Sequence, residues 1–140
     1  MIQQGFYLTK EIPQKWWFMA FYDIKTQEDL EEVFGVLLLT RMGWDKAAEI
    51  KAELSKQNSG YTLTNFDRHT SIICVSHATD YDELYNTISH ETRHATDHLC
   101  EFFGYNTNGE KSAYINGEIS KQMFKAVATL ICPVCNCKKI

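Results

Sequence analysis

The residues in this chain best suited to chemistry are His90-Glu91-Thr92-Arg93-His94, two histidines four positions apart with a glutamate beside the first. On a helix, positions i and i+4 lie one turn above each other, so both imidazoles reach a single metal ion. Glu91 then points to an adjacent strip of the same surface, where it can take a proton from a water on that ion without being a ligand itself. The pattern predicts a divalent-metal centre, with zinc as the expected ion and a base built in beside it.

A catalytic zinc takes three protein ligands and keeps one position open. The third must come from outside the pair. Glu110 follows His94 by sixteen residues, past a loop and at the start of a new helix, where an antiparallel helical hairpin could fold its carboxylate back onto the imidazoles. Glu118, two turns further on roughly the same face, is the reserve. Asp97 and His98 are nearer in sequence but worse placed. His98 lies about 12 Å from His90 along a helix axis, at about 1.5 Å per residue, too far to share one ion comfortably, and suits a cleft-wall or transition-state role. Asp97 returns to nearly the angular position of His90, which suits a supporting carboxylate better than a ligand.

The elements that must position these groups are legible in turn. Residues 1–15 hold a short extended piece, Phe6-Tyr7-Leu8, and a break at Pro13. Trp16-Trp17-Phe18-Met19-Ala20-Phe21-Tyr22 is apolar in both alternating phases, as a strand buried on two faces would be. A helix follows from a capping Thr26 to Thr40, with Leu30, Val33, Phe34, Leu37 and Leu38 at helical spacing, and a second from Trp44 to Gln57, ended by Asn58-Ser59-Gly60. Tyr61–Phe66 and Thr70–His77 read as a β-hairpin about the turn Asp67-Arg68-His69. The motif helix starts at a Thr79 or Asp80 cap and runs to about Phe103-Gly104, and a last helix runs from Glu110 to about Leu130, weakened locally by Gly117.

With those elements in place, the chain resembles the gluzincin class of zinc metallopeptidases, in which H-E-x-x-H on one helix is joined by a glutamate from a following helix. The matching residues are His90-Glu91-Thr92-Arg93-His94 and Glu110-Lys111-Ser112-Ala113-Tyr114, within a likeness that covers about residues 61–120. Two departures stand out: a short loop before Glu110, and Tyr114 where many gluzincins carry an aspartate. The resemblance implies an α+β, zincin-like fold, a small antiparallel sheet or hairpin packed on helices that include the motif helix and a following glutamate helix. It implies Zn2+ held by His90, His94 and Glu110, with Glu91 as general base in peptide-bond hydrolysis. Tyr114 then either orients a zinc-bound histidine, stabilises an oxyanion or simply packs, and His98 lines the cleft. It also gives Thr70–His77 the task of pairing with an extended peptide or protein substrate. His69 and His77 flank that strand as surface or turn residues.

The chain ends in Cys132-Pro133-Val134-Cys135-Asn136-Cys137, half of a zinc site, for which Cys74 or Cys100 would have to supply a fourth ligand from afar. The expected organisation is one domain over residues 1–131 and a Cys-rich tail over 132–140.

Composition narrows the partners. A formal charge of −4 gives no basic footprint for nucleic acid. The apolar runs are too short to cross a bilayer, no export signal is visible, and five cysteines suit reduced thiols in a cytoplasm. Small proteins with this motif also look like products of tailed phages and mobile elements. That likeness supplies the competing expectation, a non-catalytic virion or neck component with virion protein partners, in the host cytoplasm or the virion.

Overall fold

The strand Trp16–Ile24 (β2) is apolar in both alternating phases because both of its faces are covered. Phe18, Ala20 and Tyr22 belong to one core cluster, Phe21 and Ile24 to the other. The computed structural model describes residues 1–131. Around β2 are the strands Ile2–Leu8 (β1), Gly60–Asn65 (β3) and Thr70–Ser76 (β4), and the helices Gln27–Leu39 (α1), Trp44–Leu54 (α2), Tyr81–Phe103 (α3) and Glu110–Val127 (α4), with a closing 3-10 turn at Ala128–Leu130. This is a mixed α+β fold.

The sheet order is β1-β2-β4-β3. β1 pairs antiparallel with β2, β2 parallel with β4, and β3 antiparallel with β4. The expected hairpin is therefore present as one edge of a mixed sheet rather than as a small antiparallel sheet alone. The parallel pair arises because the chain between β2 and β4 runs through α1, α2 and β3, which is long enough for a crossover. Apolar residues of α1 and α2 cover one face with Phe21, Ile72 and Cys74. Those of α3 and α4 cover the other with Phe18, Ile73 and Val75. Among the described residues, no helix is long and apolar enough to cross a membrane.

β1 is longer than its sequence suggests. Its first half, Ile2-Gln3-Gln4-Gly5, has little apolar alternation, yet it pairs in register with β2, Gly5 opposite Met19 and Phe6 opposite Phe18. Gly5 is needed there because a Cβ would lie 2.4 Å from the ring of Trp17.

Local chemistry fixes the helix ends. Thr26 accepts from the Asp29 amide while the Asp29 carboxylate accepts from the Thr26 amide, a reciprocal capping box. Asp80 caps α3 through the Glu83 amide at 2.9 Å, and Gly104 ends it at φ 74°, a left-handed conformation that favours glycine. Between those caps α3 spans 23 residues, and its middle turn carries the motif.

Candidate metal centre

His90 and His94 emerge one turn apart on the solvent side of α3, and their Nε2 atoms stand 3.0 Å apart. Two nitrogens around one tetrahedral zinc, at bond lengths of about 2.0–2.1 Å, are separated by about 3.3 Å, so this pair fits a shared ion with little adjustment. Glu91 turns inward and is 4% exposed. Its carboxylate and the two imidazoles lie within 4.8 Å of one another. Among the described residues this is the one such cluster of three side chains that could hold a metal ion.

Strand β3 holds Glu91 in place. Thr62 Oγ1 donates to Glu91 Oε1 at 2.9 Å and is also 3.1 Å from the Glu91 carbonyl. Gly60 clears the space, because a Cβ there would lie 2.7 Å from Glu91 Cγ. Burial pushes the Glu91 carboxyl above its ordinary range, against the opposing pull of the Thr62 hydroxyl and of the charges on His94 and His90. A raised carboxyl beside two imidazoles that could hold a metal ion is chemically able both to accept and to return a proton. An open cleft beside it is lined by Glu53, Ser59, Gly60, Asn86, His90 and Glu91.

One turn beyond His94, His98 packs against the same strand. Its Nδ1 is 2.8 Å from Thr64 Oγ1, which is 2.8 Å from Ser71 Oγ, which accepts from Trp16 Nε1 at 3.0 Å. Burial and the charge on His94 hold the His98 imidazole below its ordinary value, so it stands neutral beside the pair. Past it, Phe66 and Phe102 stack at 5.7 Å, and His69 packs edge-on to Phe102 at 5.4 Å. Sequence pattern gives His69 a turn position, and the fold adds a place on this aromatic wall, with Trp16 stacked on it at 4.9 Å.

The hairpin of α3 and α4 does form, but its register keeps Glu110 out of the cluster. Thr96 Oγ1 meets Asn116 Oδ1 at 3.0 Å and Thr92 Oγ1 meets Met123 Sδ at 3.4 Å. Glu110 therefore lies about 9 Å beyond the Thr96 level, at about 1.5 Å per residue, toward the far end of α3. It is exposed there and accepts from the Tyr114 hydroxyl at 3.0 Å. Tyr114 is 55% exposed and spends its hydroxyl on Glu110, away from the histidines. Glu118 pairs with Lys121 at 3.0 Å, and Asp97 with Arg93 at 3.1 Å. The loop, the helix start at Glu110 and the gluzincin resemblance bring a glutamate back toward the histidines; which face of α4 meets α3 is set by the buried stripe Ser112, Ile115, Ile119 and Met123, and Glu110 lies off it.

A second correction concerns the strand beside the cleft. Thr70–Ser76 is an inner strand with both edges paired, by β2 and β3. The edge strand that touches the motif helix is β3, through Thr62 and Thr64. These two residues were missed as site residues, although the alternation of Tyr61-Thr62-Leu63-Thr64 carried the signal that they share one face. His77 pairs with Asp23 at 2.7 Å, where the parallel strands β4 and β2 end. Cys74 and Cys100 are buried in separate core clusters, with the Cys74 thiol pushed up to about 12 by burial and the Glu91 charge. Cys132, Cys135 and Cys137 lie outside the described residues. No protein-family model, curated protein or solved structure matches this chain.

Proposed function

We propose that the chain is a zincin-like metal-dependent peptidase, with His90 and His94 as metal-holding residues and Glu91 as general base. The observation that carries the reading is the convergence of the two imidazoles with the buried, Thr62-held carboxylate of Glu91. Bound zinc would supply Lewis-acid polarisation of a carbonyl and an acidified water. Glu91 accepts a proton and returns it to the leaving amine, a task its raised carboxyl suits. The unpaired side of β3 supports an extended peptide as the substrate, since an edge strand adds a further strand through main-chain hydrogen bonds. The His98 imidazole and the Phe66–Phe102 stack form one end of that track and the Glu53–Asn86 cleft the other.

The test is peptide-library cleavage by zinc-loaded wild type and Glu91→Gln, with metal content measured on both. The expected result is cleavage by the wild type, a loss of about 100-fold or more in the variant, and equal metal. Equal cleavage by both proteins overturns the role of Glu91.

A second reading rests on the cluster itself, in which Glu91 is the one carboxylate beside the two histidines among the described residues and no ligand is left over to serve as a separate base. A two-histidine site fits a non-catalytic component, such as a virion or neck protein, in which metal and fold serve binding. Absence of any cleavage by the metal-loaded wild type, with every biological activity kept in Glu91→Gln, selects this alternative.

A further inference from the structure

Behind the motif helix runs a chain of four side chains, one each from β2, β4, β3 and α3, whose protons can be counted. Trp16 Nε1 lies 3.0 Å from Ser71 Oγ, Ser71 Oγ lies 2.8 Å from Thr64 Oγ1, and Thr64 Oγ1 lies 2.8 Å from His98 Nδ1. It starts in the core, where Trp16 and Ser71 are both 0% exposed, and ends at the half-buried His98. His98 lies one turn past His94, about 6 Å along the axis at about 1.5 Å per residue.

The direction of the chain follows from what each group can give and take. An indole N–H only donates, so Ser71 accepts from Trp16. The Ser71 hydroxyl then has one proton to place, and among the described residues its one further hydrogen-bond partner is Thr64 Oγ1. Were Thr64 to donate to Ser71 instead, the Ser71 proton would have no acceptor in a place closed to water, at the full desolvation cost of a buried hydroxyl. Ser71 therefore donates to Thr64. Thr64 in turn has His98 Nδ1 as its one remaining partner among the described residues and places its own proton there. A neutral imidazole that accepts at Nδ1 carries its hydrogen on Nε2.

We infer that Trp16, Ser71 and Thr64 form a positioning relay that holds His98 in its Nε2–H form, so that His98 meets a ligand beside His90 and His94 with a hydrogen-bond donor rather than a lone pair. Trp16 anchors the Ser71 hydroxyl, Ser71 compels Thr64 to donate, and Thr64 sets the tautomer. With both ring nitrogens committed in this way, His98 is not a third metal ligand. The partner it suits is an oxygen on which negative charge develops, such as the carbonyl of a peptide under attack. The identity of that oxygen rests on the peptidase reading, whereas the tautomer does not.

Long-range proton–nitrogen NMR spectra of the metal-free protein at about pH 8, above the ordinary histidine range, read the tautomer directly. Wild-type His98 is expected to show a pyrrole-type Nε2 and a pyridine-type Nδ1. A neutral imidazole without a fixed partner exchanges between both forms, so Thr64→Val and Ser71→Ala are expected to give averaged shifts, and Thr64→Ser, which keeps the hydroxyl, the fixed form. If Ser71→Ala does not fold, the two Thr64 variants carry the comparison. In zinc-loaded protein, His98→Phe is expected to keep its metal and to lose about 100-fold in kcat for peptide cleavage with KM unchanged, and Thr64→Val to lose kcat in proportion to the Nε2–H population lost. Hydrogen on Nδ1 in the wild type, or wild-type spectra in Thr64→Val, overturn the relay. Loss of metal or an unchanged kcat in His98→Phe overturns the donor role. If the zinc-loaded wild type cleaves no peptide, the peptidase reading fails and the spectra alone decide the relay.

Discussion

Thr62 and Glu91 belong to different elements, an edge strand and the motif helix, yet the Thr62 hydroxyl meets the Glu91 carboxylate at 2.9 Å. The contact is the chief polar support of a carboxylate that burial would otherwise drive further toward its neutral form. Thr62→Val removes the hydroxyl while keeping the shape. The carboxyl then rises and, on the proposed peptidase reading, the acid limb of a pH–rate profile moves to higher pH. Peptide hydrolysis measured across pH checks this, and an unmoved limb would show that Thr62 does not act on Glu91.

Gly60→Ala presses a methyl group against Glu91 Cγ at 2.7 Å and against the Cys74 carbonyl at 3.0 Å. Because one of those neighbours is backbone, the strand cannot yield freely. The expected cost is about 1–3 kcal/mol in urea unfolding, together with a displaced Glu91 and, on the proposed peptidase reading, slower hydrolysis. Gly35→Ala, where no atom lies within 4 Å of the added carbon, is the control; equal effects of the two substitutions would contradict the packing account.

Metal analysis separates the histidines from the glutamate helix. His90→Ala is expected to lose the ion of the motif site, whereas Glu110→Ala keeps it, since Glu110 is engaged by Tyr114 outside the cluster. Loss of metal in Glu110→Ala would place that carboxylate in the centre after all and require α4 to rotate or slide on α3.

His98 gives a pH dependence of stability with a definite sign. Its folded value is lowered from 6.5, first by burial and then by His94. The neutral imidazole is therefore the form the fold prefers. The stability it contributes is present above about 6.5 and is lost as pH falls from there through the folded value. In metal-free protein, His98→Asn should flatten this part of the stability curve, followed by urea midpoints from neutral to mildly acidic pH. A variant curve as steep as the wild type would assign the slope to other groups.

Local sequence determined a great deal here. Helical spacing on α1 to α4, the Thr26 cap, the Gly104 stop and the two apolar phases of β2 each depend on residues a few positions apart and appear where that chemistry places them, while Asp80 rather than Thr79 takes the α3 cap and α2 ends at Leu54, short of Gln57. The pairing of His90 with His94 is of the same kind, since one turn of helix brings them together whatever the rest of the chain does. Two further relations were beyond local pattern. Which strand lies on the sheet edge depends on the β2–β4 parallel pairing, a contact across about fifty residues that no local periodicity encodes. The exclusion of Glu110 depends on the register of two packed helices, where the buried stripe of α4 rather than the length of its loop decides which side chains face the His90–His94 cluster. The His90–Glu91–His94 cluster was legible because it is intrahelical; its contacts with Thr62, Gly60 and, through His98, Thr64 became visible only when packing brought a separate strand against it.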